Sequence, residues 1–219
     1  TYSTYGVPAG TNYSYATEMK LKDGTNLTNA IEVSGGDAHS MVLTDTGEVY
    51  VTGHNYWYQN LTTGRESNVP YLVNTGITSA IKVSAGYSDC AVMLNNGDTL
   101  VWGNNSYGQL EQRGNPSLKS VLGNDIVDIT MDGYKTLVIK EDGNLYGTGL
   151  NTSGQLGLGD ATNRNQLTKI NVPTSSKIKY ITGSAITSVI STADGRIYVA
   201  GYNGYGQSSD GTKNASNTF

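Results

Sequence analysis

Short apolar runs recur in pairs along the chain, separated by polar residues and glycines. β-Branched residues dominate these runs, which is typical of strands, and each run is too short for a helix. The pattern therefore predicts an all-β chain. The pairs are Ile31–Val33 with Met41–Leu43, Ile81–Val83 with Ala91–Leu94, Ile126–Ile129 with Leu137–Ile139, and Ile178–Ile181 with Val189–Ile190.

A turn and a third apolar run follow each pair, so the pattern repeats four times. The turn glycines lie 50, 46 and 52 residues apart. The Asn-Gly and Asp-Gly pairs at three of these turns favour tight hairpins, because such turns need a positive φ. Four positions keep their identity in all copies, and we interpret them as structural, since Asn and Gln amides satisfy loop backbone groups that no ladder reaches. They are Gly47, Gly97, Gly143 and Gly195; Gly53, Gly103, Gly149 and Gly201; Asn55, Asn105, Asn151 and Asn203; and Gln59, Gln109, Gln155 and Gln207.

Each repeat supplies three hairpin-linked strands, a loop and a fourth outer strand. Four antiparallel strands in about fifty residues make a β-propeller blade. Pro70 and Pro116 fit outer strands, where a missing N–H costs least. We predict one propeller fragment over residues 1–219, with four-stranded blades from repeats at about 17–66, 67–113, 114–163 and 164–219.

Composition narrows the function classes. The 219 residues include 37% hydrophobic and 15% charged residues with a net charge of −4. This charge argues against nucleic-acid or chromatin binding, and no apolar run has the length of a membrane span. The Asn-, Thr- and Tyr-rich, lysine-poor composition favours the extracellular side or surface of a bacterium, with the cytoplasm as the alternative.

Candidate chemistry is sparse. Cys90 alone excludes an intrachain disulfide and a cysteine metal cage, and it is expected to pack in a strand. His39 and His54 lack partners at metal spacing, and most aspartates precede turn glycines. We therefore predict no cofactor, no metal and no catalytic site, hence a protein that is not an enzyme.

Aromatic residues are the best binding candidates, because the chain has 16 Tyr against one Phe. Tyr50, Tyr146 and Tyr198 share one strand position and are expected to be scaffold. Clustered Tyr and Trp on loops favour recognition of a protein or glycan. One predicted rim carries Tyr56, Trp57, Tyr58, Tyr107 and Tyr205, and a second, opposite rim carries Asp37, Tyr87, Ser88, Asp89, Tyr134 and Lys135.

Three segments together resemble the regulator of chromosome condensation repeat family over most of residues 17–210. They are Trp102–Leu110, Leu150–Gly159 and the Gly-x-x-His element in Ser34–Ser40. Two family residues are mostly replaced. The family tryptophan is present as Trp102, with Thr52, Thr148 and Ala200 at the aligned places, and the family histidine is present as His39, with Asp89, Lys135 and Thr187 at the aligned places.

The resemblance implies a propeller that usually has seven blades, whereas four are present. Thr4–Gly6 resembles Gly204–Gly206, which favours four whole blades of a longer propeller. A four-bladed ring and self-association of two chains to complete a larger ring are the alternatives.

The resemblance also implies the range of functions. Family members exchange nucleotide on a small GTPase and bind chromatin, inhibit β-lactamases, or serve as surface modules. Our first hypothesis is a secreted or surface bacterial module that binds a protein or glycan through its loops. The alternatives are a nucleotide exchange factor or chromatin protein, a β-lactamase inhibitor, and a polysaccharide-acting enzyme.

Overall fold

The computed structural model describes residues 16–61, 68–111 and 120–219, and they form four antiparallel sheets. None of these residues lies in a helix, so none belongs to a helix that could cross a membrane. The all-β prediction is confirmed. The strands are β1 (Ala30–Gly35), β2 (His39–Thr44), β3 (Val49–His54) and β4 (Asn68–Asn74); β5 (Ala80–Ala85), β6 (Asp89–Leu94), β7 (Thr99–Gly103) and β8 (Ser120–Gly123); β9 (Ile126–Asp132), β10 (Lys135–Lys140), β11 (Leu145–Gly149) and β12 (Arg164–Ile170); and β13 (Ile178–Ser184), β14 (Thr187–Thr192) and β15 (Ile197–Gly201).

Each sheet is a blade in which neighbouring strands pair in chain order. The first three blades have four strands, and the described part of the fourth has β13, β14 and β15. Pro70 lies in β4 at the sheet edge, as predicted, whereas Pro116 and Thr4–Gly6 lie outside the described residues. The first two blades belong to one compact unit, and the last two, with the loop that starts at Asn105, belong to another.

Apolar residues from facing blades form the core of each unit. In the first unit, Met41, Leu43, Val49 and Val51 of the first blade pack with residues of the second blade. These second-blade residues include Val83, Cys90, Val92 and Trp102. Cys90 is fully buried, as expected for a small hydrophobic residue. The second unit has a corresponding cluster of Leu137, Ile139, Leu145, Leu156, Ile170, Ile181 and Ile190.

The second repeated glycine is the last or next-to-last residue of the third strand in all four copies, with a φ between 102° and 111°. A Cβ on Gly149 would lie 2.3 Å from the carbonyl oxygen of Tyr134, and one on Gly103 would lie 2.6 Å from that of Ser88. Both the left-handed backbone and this close approach exclude a side chain. The position is therefore fixed by sterics.

The repeated Asn and Gln side chains hold the loop after the third strand. Asn151 Oδ1 accepts from the Leu156 N–H at 2.8 Å, and Gln155 Oε1 accepts from the Ser153 N–H at 2.9 Å. The same two bonds recur in the other three loops. Two side-chain amides thus satisfy backbone donors that no strand reaches.

We expect Asn151→Ala to lower the free energy of unfolding by about 2 kcal/mol, because it leaves buried backbone groups unpaired. Asn151 also donates to the carbonyl oxygens of Asp160 and Thr162 at 3.0 and 3.1 Å. Urea unfolding measures the effect. The exposed Asn171 is the control, and Asn171→Ala should change stability by less than about 0.5 kcal/mol. Equal losses in both variants would contradict the bracing role.

Candidate functional site

Two connections of each blade lie together at one end of the sheet, which we call the loop rim. They are the turn between the first two strands and the loop after the third strand. The backbone N–H of His54 donates to Ala38 O at 2.6 Å, and that of Leu150 donates to Tyr134 O at 2.9 Å. The prediction of two opposite rims is therefore wrong, because the first and third connections of an antiparallel meander return to the same end.

The first blade carries an aromatic cluster on this rim. The ring of Tyr56 stacks on His54 with centroids 6.1 Å apart, and it meets Trp57 edge-on at 5.3 Å. Tyr56 is exposed, and Trp57 is partly exposed. Burial lowers the pKa of His54, whereas the Asp37 carboxylate opposes that shift. The rings of Tyr56 and Trp57 therefore form an accessible aromatic surface.

Tyr58 occupies a strained backbone position beside this cluster. Its φ is 61°, and the other three copies have Gly108, Gly154 and Gly206 there, with φ of 81°, 73° and 79°. A left-handed conformation costs a non-glycine residue roughly 1–2 kcal/mol. The first blade therefore retains a tyrosine at a position where its backbone favours glycine.

Asp37 and Tyr87 lie on the neighbouring turns of the same unit. The Asp37 N–H points to the carbonyl oxygen of Tyr87 at 3.4 Å, so the two turns adjoin. Both side chains are exposed. They extend the accessible rim of the first unit beyond the aromatic cluster.

The second unit carries its own aromatic pairs. The rings of Tyr107 and Tyr134 lie 4.8 Å apart, so residues assigned to different rims are in contact. Tyr205 packs edge-on against Tyr202 at 5.9 Å, yet 87% of its surface is exposed. Both pairs are accessible from solvent.

One sequence position below the rim is buried in every blade. It holds His39, Asp89, Lys135 and Thr187. Asp89 has no exposed surface, and Ser88 and Lys135 are also buried, so these three expected rim residues cannot meet a partner at the surface. Each residue at this position starts the second strand of its blade, and the side chains of His39 and Lys135 reach Cys90 and Ser184 of the next blade.

Two of these buried groups have shifted pKa values. Burial lowers the pKa of His39 to about 4, and the Cys90 Sγ lies 3.4 Å from its Nε2. Burial also lowers the pKa of Lys135 to about 8, with Asp132 opposing the shift. Its Nζ donates to the carbonyl oxygen of Ser184 at 2.5 Å.

The described residues contain no group of three or more His, Cys, Asp or Glu side chains placed to hold a metal ion. The accessible chemistry of the rim is aromatic and hydroxyl recognition. Sequence reasoning missed His54 as part of the aromatic cluster, although the sequence places it beside Asn55, directly before the loop. It also missed that the amine of Lys135 is buried. The available signal was the alignment of Lys135 with His39 in the repeat.

Known proteins resemble this chain in sequence and in fold. A family model described as the regulator of chromosome condensation (RCC1) repeat matches residues 30–59, and a second so described matches residues 142–191. The human X-linked retinitis pigmentosa GTPase regulator is 33% identical over 189 residues, which are 85% of this chain and 14% of that protein. The human probable E3 ubiquitin-protein ligase HERC4 is 32% identical over 108 residues, which are 46% of this chain and 10% of that protein.

Solved structures show the same fold. Human WBSCR16 aligns with a TM-score of 0.76 at 20% identity, covering 86% of this chain and 52% of that one. Prp20p from Saccharomyces cerevisiae aligns with a TM-score of 0.70 at 20% identity, covering 79% and 43%. The chain spans about a seventh or less of the two curated relatives named above, and the structural likeness establishes a β-propeller fold.

We expect Tyr58→Gly to raise the free energy of unfolding by about 1 kcal/mol, because glycine removes the left-handed penalty. Urea unfolding of the purified chain measures the gain. The matched control is Tyr58→Ala, which removes the ring but keeps the penalty and should not stabilise. A loss of stability in Tyr58→Gly that equals the loss in Tyr58→Ala would show that no strain is stored there.

We expect the stability of the wild-type chain to rise with pH between about 8 and 10.5, the folded and reference pKa values of Lys135. The unfolded chain binds more protons in this window, so the cost of burying the charged amine is present below pH 8 and disappears as pH rises. The contribution is about 3 kcal/mol across the window. Other groups titrate here too, so urea unfolding of wild type is compared with Lys135→Met, which should lack this rise. Parallel pH profiles for the two proteins would contradict the assignment.

Proposed function

Since this chain belongs to the regulator of chromosome condensation repeat family, we propose that it is a non-enzymatic interaction scaffold that binds a protein through its loop rim. The observation that carries the proposal is the aromatic cluster of the first blade. Tyr58 in this cluster has a left-handed backbone conformation, and the other three copies have glycine at this position. Backbone strain of this kind persists where surrounding structure or function maintains it.

The geometry of the cluster supports recognition. Tyr56, Trp57 and Tyr58 are consecutive, and the Trp57 N–H is fixed by Gln59 Oε1 at 3.1 Å. Large aromatic side chains on a fixed backbone bury much area at low entropic cost, which is why Tyr and Trp dominate binding hot spots. The exposed Tyr87 and Asp37 add a polar border within the same unit.

The positions of the ionisable groups support the non-enzymatic part of the proposal. His39 and Lys135 have strongly lowered pKa values, and both are buried below the rim. A substrate on the rim would not reach either group. Their shifts follow from burial in the scaffold, so they do not favour a polysaccharide-acting enzyme.

Relatives support a protein as the partner. One is named a GTPase regulator, and the Prp20p structure is described with its binding to Gsp1p and histones. Regulation of a small GTPase is therefore the second candidate function, favoured by the 33% identity to that regulator. Inhibition of a β-lactamase is another form of protein binding. No described residue of the loop rim favours this partner over other proteins.

The aromatic residues allow a second class of ligand, and the composition supports a location outside the cell. A glycan is the alternative ligand, because aromatic rings also stack on sugars. The composition, rich in Asn, Thr and Tyr, supports a module on the outside of a bacterial cell, with the cytoplasm as the alternative.

The test uses the 219-residue chain on a glycan array and against a displayed peptide library. We expect selected peptides to lose at least about tenfold in affinity for a Tyr56→Ala, Trp57→Ala, Tyr58→Gly variant, because the hot-spot rings are removed. The exposed Tyr180→Ala variant is the control and should bind as wild type. Equal binding by all three proteins would refute the rim site, and binding only on the array would replace the protein with a glycan. Release of labelled GDP from a small GTPase, with and without the chain, tests the second candidate.

A further inference from the structure

The segment that connects the first blade to the second, residues 75–79, packs directly on the turn of the first blade. It ends before Ala80, which begins β5. The Ala80 N–H donates to Gly47 O at 3.0 Å, and a Cβ on Gly47 would lie 2.9 Å from the backbone nitrogen of Ser79. The turn and the connecting segment of the first unit are therefore in close contact.

The corresponding segment between the third and fourth blades is residues 170–177, so it is three residues longer. It starts after Lys169, which pairs with the strand tyrosine of its blade as Asn74 does. It ends before Ile178, which begins the pairing of its blade as Ala80 does. Because both ends occupy the same repeat positions, the additional residues belong to the connecting segment itself.

The longer segment leaves a cavity beside the turn of the third blade. A Cβ on Gly143 would have open space around it to 4 Å, in contrast to the crowding at Gly47. A cavity of about 160 Å³ lies at this turn, within the second unit. One water molecule needs only about 10–15 Å³ of such space, so the cavity can hold a small ligand group. It lies at the end of the sheet opposite the loop rim.

Two hydroxyl groups of the connecting segment line this cavity. Thr174 Oγ1 accepts from the Ser176 N–H at 3.0 Å, and Ser176 Oγ accepts from the Asp194 N–H at 3.2 Å. A hydroxyl that accepts a backbone hydrogen bond still has its own O–H to donate. Both hydroxyl groups can therefore donate to a group bound in the cavity.

Lys169 is the one charged residue among those that line the cavity. Its amine takes part in none of the ion pairs found among the described residues. The Asp142 carboxylate accepts instead from the Asn144 N–H at 2.9 Å and the Tyr146 hydroxyl at 2.8 Å. Hydrogen bonds from Asn144 lower the pKa of Asp142 most, and the charge of Lys169 contributes least to that shift. The ammonium group is thus available to a ligand.

The sequence around the cavity is locally basic, although the net charge of the chain is −4. The fourth repeat, residues 164–219, contains six Lys or Arg residues and two Asp residues. A local excess of positive charge raises the concentration of anions near a site. It therefore favours a negatively charged ligand over a cation.

We propose that the cavity beside Gly143 binds an oxyanion, namely a phosphate or carboxylate group of a small molecule. The lining residues supply one ammonium group and two hydroxyl donors, and none of them is acidic. Hydrogen bonds between a charged donor and an oxyanion are about twice as strong as neutral ones. A neutral ligand would leave the ammonium group without a counter-charge. The site is separate from the loop rim, so it does not depend on the proposed function.

The experiment is a titration of the isotope-labelled 219-residue chain with inorganic phosphate and, separately, with acetate, followed by two-dimensional NMR. Constant ionic strength keeps the screening of charges equal. We expect saturable shifts of the backbone amide signals of Asn144, Asn171 and Ser176. Saturation by phosphate alone identifies a phosphate group, saturation by acetate alone identifies a carboxylate, and saturation by both shows that the site accepts either. Absence of a saturable shift with both anions would overturn the proposal.

Lys169→Met should weaken this binding at least about tenfold, because a hydrogen bond to a charged group is lost. The matched control is Lys179→Met, which removes the same charge from the same unit. The Lys179 amine lies over the Tyr180 ring, 5.1 Å from its centroid, and Lys179 does not line the cavity. The control should bind as wild type. Equal losses in the two variants would indicate general charge attraction and contradict a built site.

A third variant tests the connecting segment. Residues 171–177 are replaced by Gly-Ile-Thr-Ser, the sequence of residues 76–79, and the buried Ile170 is kept. We expect the shorter segment to pack on the turn as in the first unit, and saturable binding to disappear. A circular dichroism melt checks that the variant folds. A folded variant that binds the anion as wild type would overturn the assignment of the site, and Lys169→Met tests it without changing the backbone.

Discussion

In the first three blades, the repeated glutamine in the loop after the third strand connects that loop to the next blade of its unit. Its side chain braces its own loop, while its backbone carbonyl oxygen accepts a hydrogen bond from the following sheet. Gln109 O accepts from Thr136 Oγ1 at 2.8 Å, and Gln155 O accepts from Ser188 Oγ at 2.6 Å. Because the loop backbone and the packing of adjacent blades share one residue, a change in either disturbs both. The rim thereby acquires a fixed backbone from the core below it.

The second blade meets the same constraint with different residues. Cys90 stands where Thr136 and Ser188 stand, and its Sγ lies 4.0 Å from Gln59 O. A thiol is a weak donor. The indole N–H of Trp102 donates to Gln59 O instead, at 2.8 Å. Trp102 is the single tryptophan at its repeat position. It donates the hydrogen bond to Gln59 O in the first unit, where Cys90 replaces the hydroxyl residue found in the contacts of Gln109 and Gln155.

Sequence reasoning identified what the repeat encodes locally and missed what depends on topology and neighbours. The turn glycines and the Asn and Gln braces follow from local hydrogen bonding, so their identity at fixed spacing was sufficient. The end of the sheet at which Tyr134 lies depends on the direction of each strand. The prediction of the rims grouped loop residues without considering strand direction. The burial of Asp89 opposes its polarity, so its side-chain type alone predicts the surface. The strain at Tyr58 was available from sequence, since three aligned glycines predict a positive φ.

The buried position below the rim also joins neighbouring blades. His39 contacts Cys90 of the next blade, and Lys135 donates to Ser184 of the next blade. Thr187, in the fourth blade, donates to Tyr202 O of its own sheet at 3.2 Å. The fourth blade therefore lacks the long polar side chain that Lys135 extends from the third blade.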